Sequence, residues 1–345
     1  MKHEIDLKNY DIRTDVIIDY IDKFDSNDII RSTKEYEDIK VEDIVVSKKG
    51  DNIFNSEKGI YKIISFKDIT DKDNFKNVEE VLINELKDMY KKLNINDKMS
   101  CLIIGLGNKN STPDSLGPKV IDNILVTNYL FALGEVEEGY RKTFSVSPGV
   151  TASTGIETSD FIKAIVDISK PDFMIVIDAL ASSSTNRVNQ TIQITDRGIL
   201  PGSGVGNSRK EINKEILKIP VIAIGIPTIV DAASIVNDTI EYMKKNFSYE
   251  IENINNNSNK FINPLTKNYL KTKRELTDEE LKQILGIVGT LTEEDRKKLI
   301  IEVLSPINYN LMVTPKEIDF VIEKLSLLLS NGINKTLHSS YTSTN

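Results

Sequence analysis

The chain reads as an α/β protein with a largely parallel sheet and helices on both faces. Three observations predict that class. Short runs at 100–105, 172–179 and 220–225 are apolar almost throughout, as strands buried on both faces are. Segments with helical spacing separate them. With 345 residues and 39% hydrophobic side chains, the chain can bury a sizeable core.

Taken in order, residues 1–34 are polar, charge-dense and aperiodic, which predicts a tail or a loosely attached arm. Val41–Val46 and Ile60–Phe66 read as strands on either side of a turn-rich stretch. Phe75, Val78, Val81, Leu82, Leu86, Met89 and Leu93 recur at helical spacing. SCLIIG (100–105) is a short buried strand ending in glycine, and Asp114–Leu133 a loop exit and helix. TFSVS (143–147) predicts a strand and Glu157–Lys170 a helix. DFMIVIDA (172–179) is a buried strand ending in an acid, whereas QTIQIT (190–195) alternates like a half-exposed one. Pro220–Gly225 is another buried strand, and Asp231–Asn246 a helix. Residues 246–274, rich in Asn and Lys, predict a long connection. Thr277 and Glu280 form a capping box, and Thr314, Pro315 and Glu317 open a further helix that Gly332 can end.

Composition narrows the chemistry. Lys+Arg 44 against Asp+Glu 52 gives a net charge of −8, a poor match for nucleic acid or an anionic membrane. No run is apolar for the roughly 18 residues that would span a bilayer. The amino-terminal stretch lacks the apolar core of a secretory signal. One cysteine, Cys101, excludes an internal disulfide and a cysteine-based zinc site; it lies within an apolar strand and reads as an inert buried thiol. A reducing, cytosolic setting follows as the expectation. The two histidines, His3 and His338, both fall near the ends of the chain, so histidine-dependent triads, dyads and zinc sites are not expected. Catalysis would have to use carboxylates, lysine, hydroxyls or backbone dipoles.

Ligands of open α/β sheets gather beyond the carboxyl ends of strands. Two acids stand there: Asp178, closing FMIVID, and Asp114, in the loop GLGNKNSTPDSLG after SCLIIG. Desolvation raises a carboxyl pKa, and a second carboxylate raises one of a pair further. Such a pair can share one proton, activate a water with one member and protonate a leaving group with the other. The alternative for both acids is helix capping. The run Gly202-Ser203-Gly204 lies in a glycine-rich stretch that reads first as a flexible loop, and its N–H groups can also line a substrate groove or an oxyanion site. The fingerprints of dinucleotide binding and of the P-loop are both incomplete or absent.

These residues resemble one family. IRTD (12–15), CLIIGLGN (101–108), TPDSLGP (112–118), EEGYR (137–141), SPGV (147–150), TGIETSD (154–160) and KPDFMIVIDALAS (170–182) match, in order, the germination proteases of spore-forming bacteria. So do RVNQTIQITDRGILPGSGVGNSRKEI (187–212), IPVIAIGIPTIVDA (219–232), GIVGTL (286–291) and NLMVTPKEID (310–319). The resemblance implies a homotetrameric endopeptidase, made as a self-processing zymogen, that begins the degradation of small acid-soluble spore proteins in the cytoplasm of the spore core. It implies an aspartate pair without a required metal or cofactor, falling by motif on Asp114 and Asp178. It implies a propeptide of residues 1–15 cut between Asp15 and Val16, and one peptidase domain over 16–345. In that domain the core covers about 97–246, with strands and a helix at 35–96, a variable connection at 247–274 and a helical part at 275–335. The core also resembles the hydrogenase-maturation endopeptidase fold, whose members use acidic and histidine side chains to sense nickel.

Some positions depart from the family pattern. Lys109 stands where an aromatic residue is usual, Ser183 replaces an arginine, and Val16-Ile17 replaces the Leu-Ala that follows the processing acid. Two other functions remain open at this stage: a metal-dependent maturation-type peptidase of the same fold, and a non-catalytic phosphate- or nucleotide-binding module.

Overall fold

In the computed structural model, which describes residues 14–19, 21, 29–47, 58–200, 210–253, 269–304 and 311–342, the apolar runs form strands. These are β1 (Ile29–Tyr36), β2 (Ile39–Val46), β3 (Gly59–Ser65), β4 (Cys101–Gly105), β5 (Thr143–Val146), β6 (Phe173–Ser182), β7 (Thr191–Thr195), β8 (Val221–Asp231) and β9 (Met312–Val313). The helices are α1 (Lys72–Lys92), α2 (Leu116–Ile121), α3 (Asn128–Leu133), α4 (Thr151–Thr154), α5 (Thr158–Ser169), α6 (Lys214–Leu217), α7 (Ala232–Asn253), α8 (Asp278–Leu285), α9 (Ile287–Thr290), α10 (Glu293–Leu304) and α11 (Ile318–Leu337). Contacts divide the chain into two units: a larger one of 14–182, 186–229 and 314–345, and a smaller one of 1–13, 183–185 and 230–313.

The larger unit carries the sheet, in the order β1-β2-β3-β7-β8-β6-β4-β5. The parallel pairing expected of the core joins β4 to both β5 and β6. Antiparallel pairings of β1, β2, β3, β7 and β8 extend it. Alternate strand side chains point to opposite faces. Cys101, Ile103, Ile175 and Ile177 therefore pack with α1, α2 and α11, through residues such as Leu82, Leu86, Leu116 and Leu325. Leu102, Ile104, Met174 and Val176 pack on the other face with Ile162 and Val166 of α5 and Leu217 of α6. Helices thus cover both faces, which is why these strands are apolar without alternation.

In the smaller unit, the last two residues of β8 pair antiparallel with β9, Val230 opposite Val313 and Asp231 opposite Met312. Helices α7 and α10 are joined by the buried Arg296, which donates to Asn237 Oδ1 at 2.9 Å and to Glu241 Oε1 at 2.5 Å. The capping box read at Thr277 and Glu280 opens α8 with both of its reciprocal hydrogen bonds.

Several expectations are corrected by long-range packing. Within the arm expected over 1–34, Val16, Ile17 and Ile21 are instead buried against Ile44, Tyr61, Ile63 and Leu180, and β1 pairs along its whole length with β2. Strand β7 is buried on both faces because Ile192 and Ile194 join the core with residues of α1 and α11, and Gln193 on the other face is covered by residues 15–17. The helix expected within 114–133 is split into α2 and α3. Helix α11 runs through Gly332, whose missing side chain admits Leu82 of α1: a Cβ there would lie 2.7 Å from Leu82 Cδ2. His338 is buried at the end of α11, and its Nδ1 accepts the Arg141 N–H at 3.1 Å. Burial pushes its pKa down to about 4, so the ring stays neutral. Arg141 precedes β5, which puts His338 at the opposite end of the parallel strands from the loops that follow them.

One polar cluster ties the hairpin strands to α1. The fully buried Lys62 on β3 donates to Asp43 on β2 at 2.6 Å, to Glu85 on α1, and pairs with Asp88 on α1 at 2.7 Å. The three carboxylates have the spacing of a cation site, and the Lys62 ammonium is the cation among them. Burial alone would lower the Lys62 pKa, but its hydrogen bonds to Asp43, Asp88 and Glu85 raise it well above the ordinary lysine value. Burial would raise the Asp88 carboxyl, yet hydrogen bonds from Lys62 and Lys92 bring it down to about 2; Asp43 is held below its ordinary value in the same way. Carboxyls depressed in the folded state stabilise it above the ordinary aspartate range and lose that contribution as pH falls toward 2. Lys62→Met removes the buried cation from among the three carboxylates, leaving them the more exposed Lys34 and Lys92, and should cost about 3–5 kcal/mol in denaturant unfolding. It should also flatten the fall in stability between pH 4 and 2.

Candidate active site

Asp114 and Asp178 come to one end of the sheet because β4 and β6 are parallel neighbours. Their register runs from Cys101 opposite Phe173 to Gly105 opposite Ile177. Leu106 N–H then donates to the Ile177 carbonyl at 2.8 Å, so the loop leaving β4 starts beside Asp178. That loop folds back at once. Gly107 has φ +114°, and a Cβ on it would lie 2.0 Å from the Asp114 carbonyl oxygen. The next N–H, of Asn108, donates both to the Asp114 carbonyl at 3.0 Å and to Asp114 Oδ2 at 2.8 Å.

Asp114 closes a 3₁₀ turn, Thr112–Asp114, that packs against β6 and α11. Its N–H donates to the Ser111 carbonyl at 2.8 Å. The preceding carbonyl, of Pro113, accepts the buried Thr228 hydroxyl of β8 at 2.7 Å. Helix α2 then starts close over the end of β4: a Cβ on Gly117 would meet the Leu106 carbonyl at 2.2 Å. The glycines of GLG and SLG are thus explained by close backbone approach. The Asp114 side chain is half-buried, whereas Asp178 is 8% exposed and its Oδ1 accepts the Ala179 N–H at 2.9 Å.

The strand carrying Asp178 is longer than the sequence suggests. β6 runs on to Ser182, so Asp178 lies inside a strand rather than at its end and caps no helix. Asp114 turns back to Asn108, and the position before α2 is Ser115. The contacts to Asn108 and Ala179 are therefore not helix caps. A half-buried carboxylate and a buried one, on the same sheet end and on elements packed together, suit the activation of a water and the protonation of a leaving group.

Gly202, Ser203 and Gly204 lie outside the described residues. Lys109 pairs with Asp122 at 2.9 Å on the surface. Cys101 is buried, and burial pushes its thiol pKa up, as an inert core cysteine requires.

The predicted processing site is docked on the sheet. Asp15 N–H donates to the Ala181 carbonyl at 2.9 Å, and an Asp15 carboxylate oxygen accepts the Ala181 N–H at 2.9 Å. The Gln193 side chain brackets the bond that follows, donating to the Asp15 carbonyl at 3.1 Å and accepting the Ile17 N–H at 2.8 Å. Val16 and Ile17 are 0% exposed. The sequence reading missed Asn108, Thr228 and Gln193. Only Gln193 left a signal, an amide between the two isoleucines of the alternating run TIQIT.

A family model described as germination protease matches residues 14–345. A germination protease of Bacillus pumilus is 44% identical over 363 residues, spanning 100% of this chain and 98% of that protein. Those of Bacillus subtilis and Priestia megaterium are 42% and 43% identical, over 100% and 98% of this chain and 98% and 96% of their own lengths. Among solved structures, the [NiFe] hydrogenase maturation protease HycI of Thermococcus kodakarensis aligns with 41% of this chain and 80% of its own, at 19% identity and a TM-score of 0.28, too low to carry a structural argument.

Gly107 is the position on which the Asp114 turn depends. Gly107→Ala should push the Asp114 carbonyl away and lower peptidase activity by up to about 10²-fold, the effect of an ångström-scale misplacement. The far-ultraviolet circular dichroism should stay that of the parent chain.

Proposed function

The chain belongs to the germination protease family, and on that premise we propose that it is an endopeptidase that begins the degradation of small acid-soluble spore proteins during germination. Its proposed form at synthesis is a zymogen, residues 1–15 being the propeptide and 16–345 the peptidase. The single observation that best supports the chemistry is the packing of the Asp114 turn against β6, the strand that carries Asp178.

In the proposed mechanism the two carboxylates share one proton. One takes a proton from water as the water oxygen attacks the peptide carbonyl, and the other gives its proton to the carbonyl oxygen. The tetrahedral centre collapses, the C–N bond breaks, and a carboxyl group returns a proton to the leaving nitrogen. Backbone N–H groups around Gly202 and Gly204, and the Ser203 hydroxyl, are proposed to line the substrate groove and to hydrogen-bond the carbonyl oxygen while negative charge develops on it, before the proton arrives. No cofactor is assigned. Asp114→Asn and Asp178→Asn should each reduce turnover of a small acid-soluble spore protein by at least about 10²-fold, because an amide can neither act as base nor share the proton. Normal turnover by either folded variant would remove that residue from the mechanism. A metal-dependent peptidase would instead lose activity on chelation and regain it with metal.

We assign the enzyme to the cytoplasm of the spore core; among the described residues no helix is long and apolar enough to cross a membrane. A homotetramer is proposed as well. Large apolar side chains on the surface of the larger unit, among them Leu133 at 66% exposure and Ile168 at 79%, are consistent with further burial in an assembly. Light scattering at micromolar concentration should give four times the chain mass, and a stable monomer would contradict the assignment.

A further inference from the structure

We propose that Asp19 is a positioning residue that receives the amino group freed when the Asp15–Val16 bond is cut, on the basis of the processing site proposed above. Val16 N–H lies 3.3 Å from the Thr14 hydroxyl oxygen, and that hydroxyl donates to Asp19 Oδ2. A single hydroxyl therefore stands between the Val16 nitrogen and a carboxylate that is wholly shielded from solvent. The intervening turn is fixed by the Asp19 N–H, which donates to the Val16 carbonyl at 3.1 Å. The Val16 and Ile17 side chains are buried against Ile44, Tyr61 and Leu180, so the segment after the bond is anchored independently of residues 14 and 15.

Cleavage changes the charge at this point. The water oxygen bonds to the Asp15 carbonyl carbon and the C–N bond breaks. Both water protons end on the Val16 nitrogen, which leaves an Asp15 carboxylate and a Val16 ammonium. Thr14 departs with the propeptide, and the ammonium takes its place as a donor to Asp19. The carboxylate can accept it alongside its present partners, since two oxygens offer about four lone-pair positions.

Asp19 connects this event to the strand of the active site. Its Oδ2 accepts the Ser182 hydroxyl at 3.1 Å, at the last residue of β6, and its other oxygen pairs with Arg187 just beyond that strand. Departure of Asp15 breaks its two hydrogen bonds to Ala181. The ammonium–Asp19–Ser182 contact then holds the end of β6, the strand that carries Asp178. In the uncut chain the Val16 nitrogen is an uncharged amide, and the end of β6 is held by Asp15 together with the Asp19–Ser182 contact.

The test uses the full chain with an engineered protease site ahead of Val16, placed so that cutting leaves either Val16 or an added glycine before Val16 as the amino terminus. The glycine moves the ammonium by one residue and changes nothing else. The Val16 form should exceed the glycine-extended form in kcat by at least about tenfold, with KM unchanged. Asp19→Asn should erase the difference in kcat between the Val16 form and the extended form. Equal kcat for the two cut forms, both above the uncut chain, would overturn the role of Asp19 and leave the processing site standing. Equal activity of the uncut chain and both cut forms would overturn both.

Discussion

Strands β4 and β6 are hydrogen-bonded in parallel, and the ladder continues one residue past β4 through Leu106 to Ile177. Every feature of the site depends on that pairing. It starts the β4 loop beside Asp178. The tight reversal at Gly107 then brings Asp114 back toward the same strand end, where Thr228 of β8 holds the Pro113–Asp114 peptide. Two residues distant in sequence are brought to the same end of the sheet because the backbone of a parallel sheet leaves little choice of where its loops begin.

Much of this was legible in the residues. SCLIIG and FMIVID announce strands buried on both faces, and acids just after such strands are conspicuous because burial penalises charge. The glycines of GLG and SLG also carry a message: a Cβ at 107 or 117 would collide with backbone. What the sequence could not disclose depends on partners far away in the chain. β6 continues through Ala179, Leu180 and Ala181 to Ser182, where Asp15 and Asp19 meet it. His338 falls near the carboxyl end of the chain and looked peripheral, yet Arg141 accounts for its burial. Gly332 looked like a helix end but is a point of contact with Leu82. The buried amide of Gln193 makes sense only once the amino-terminal segment is seen beside it.

The amino-terminal segment and the aspartate pair share one structural element. Asp15 and Asp19 contact residues 181 and 182 of β6, and Asp178 lies four residues earlier in the same strand. The β4 ladder ends at Ile177, and beyond it the N–H and carbonyl of Ala181 are bonded by Asp15. The proposed processing site and Asp178 thus meet on one strand, an arrangement that suits an enzyme proposed to be switched on by a single cut.

The most direct measurement is a crystal structure of the processed enzyme with a substrate peptide whose scissile carbonyl is replaced by a ketone that hydrates. The account predicts a gem-diol whose oxygens lie within about 2.6–3.2 Å of carboxylate oxygens of both Asp114 and Asp178. A bound diol that touches only one of the two aspartates, or neither, would contradict it.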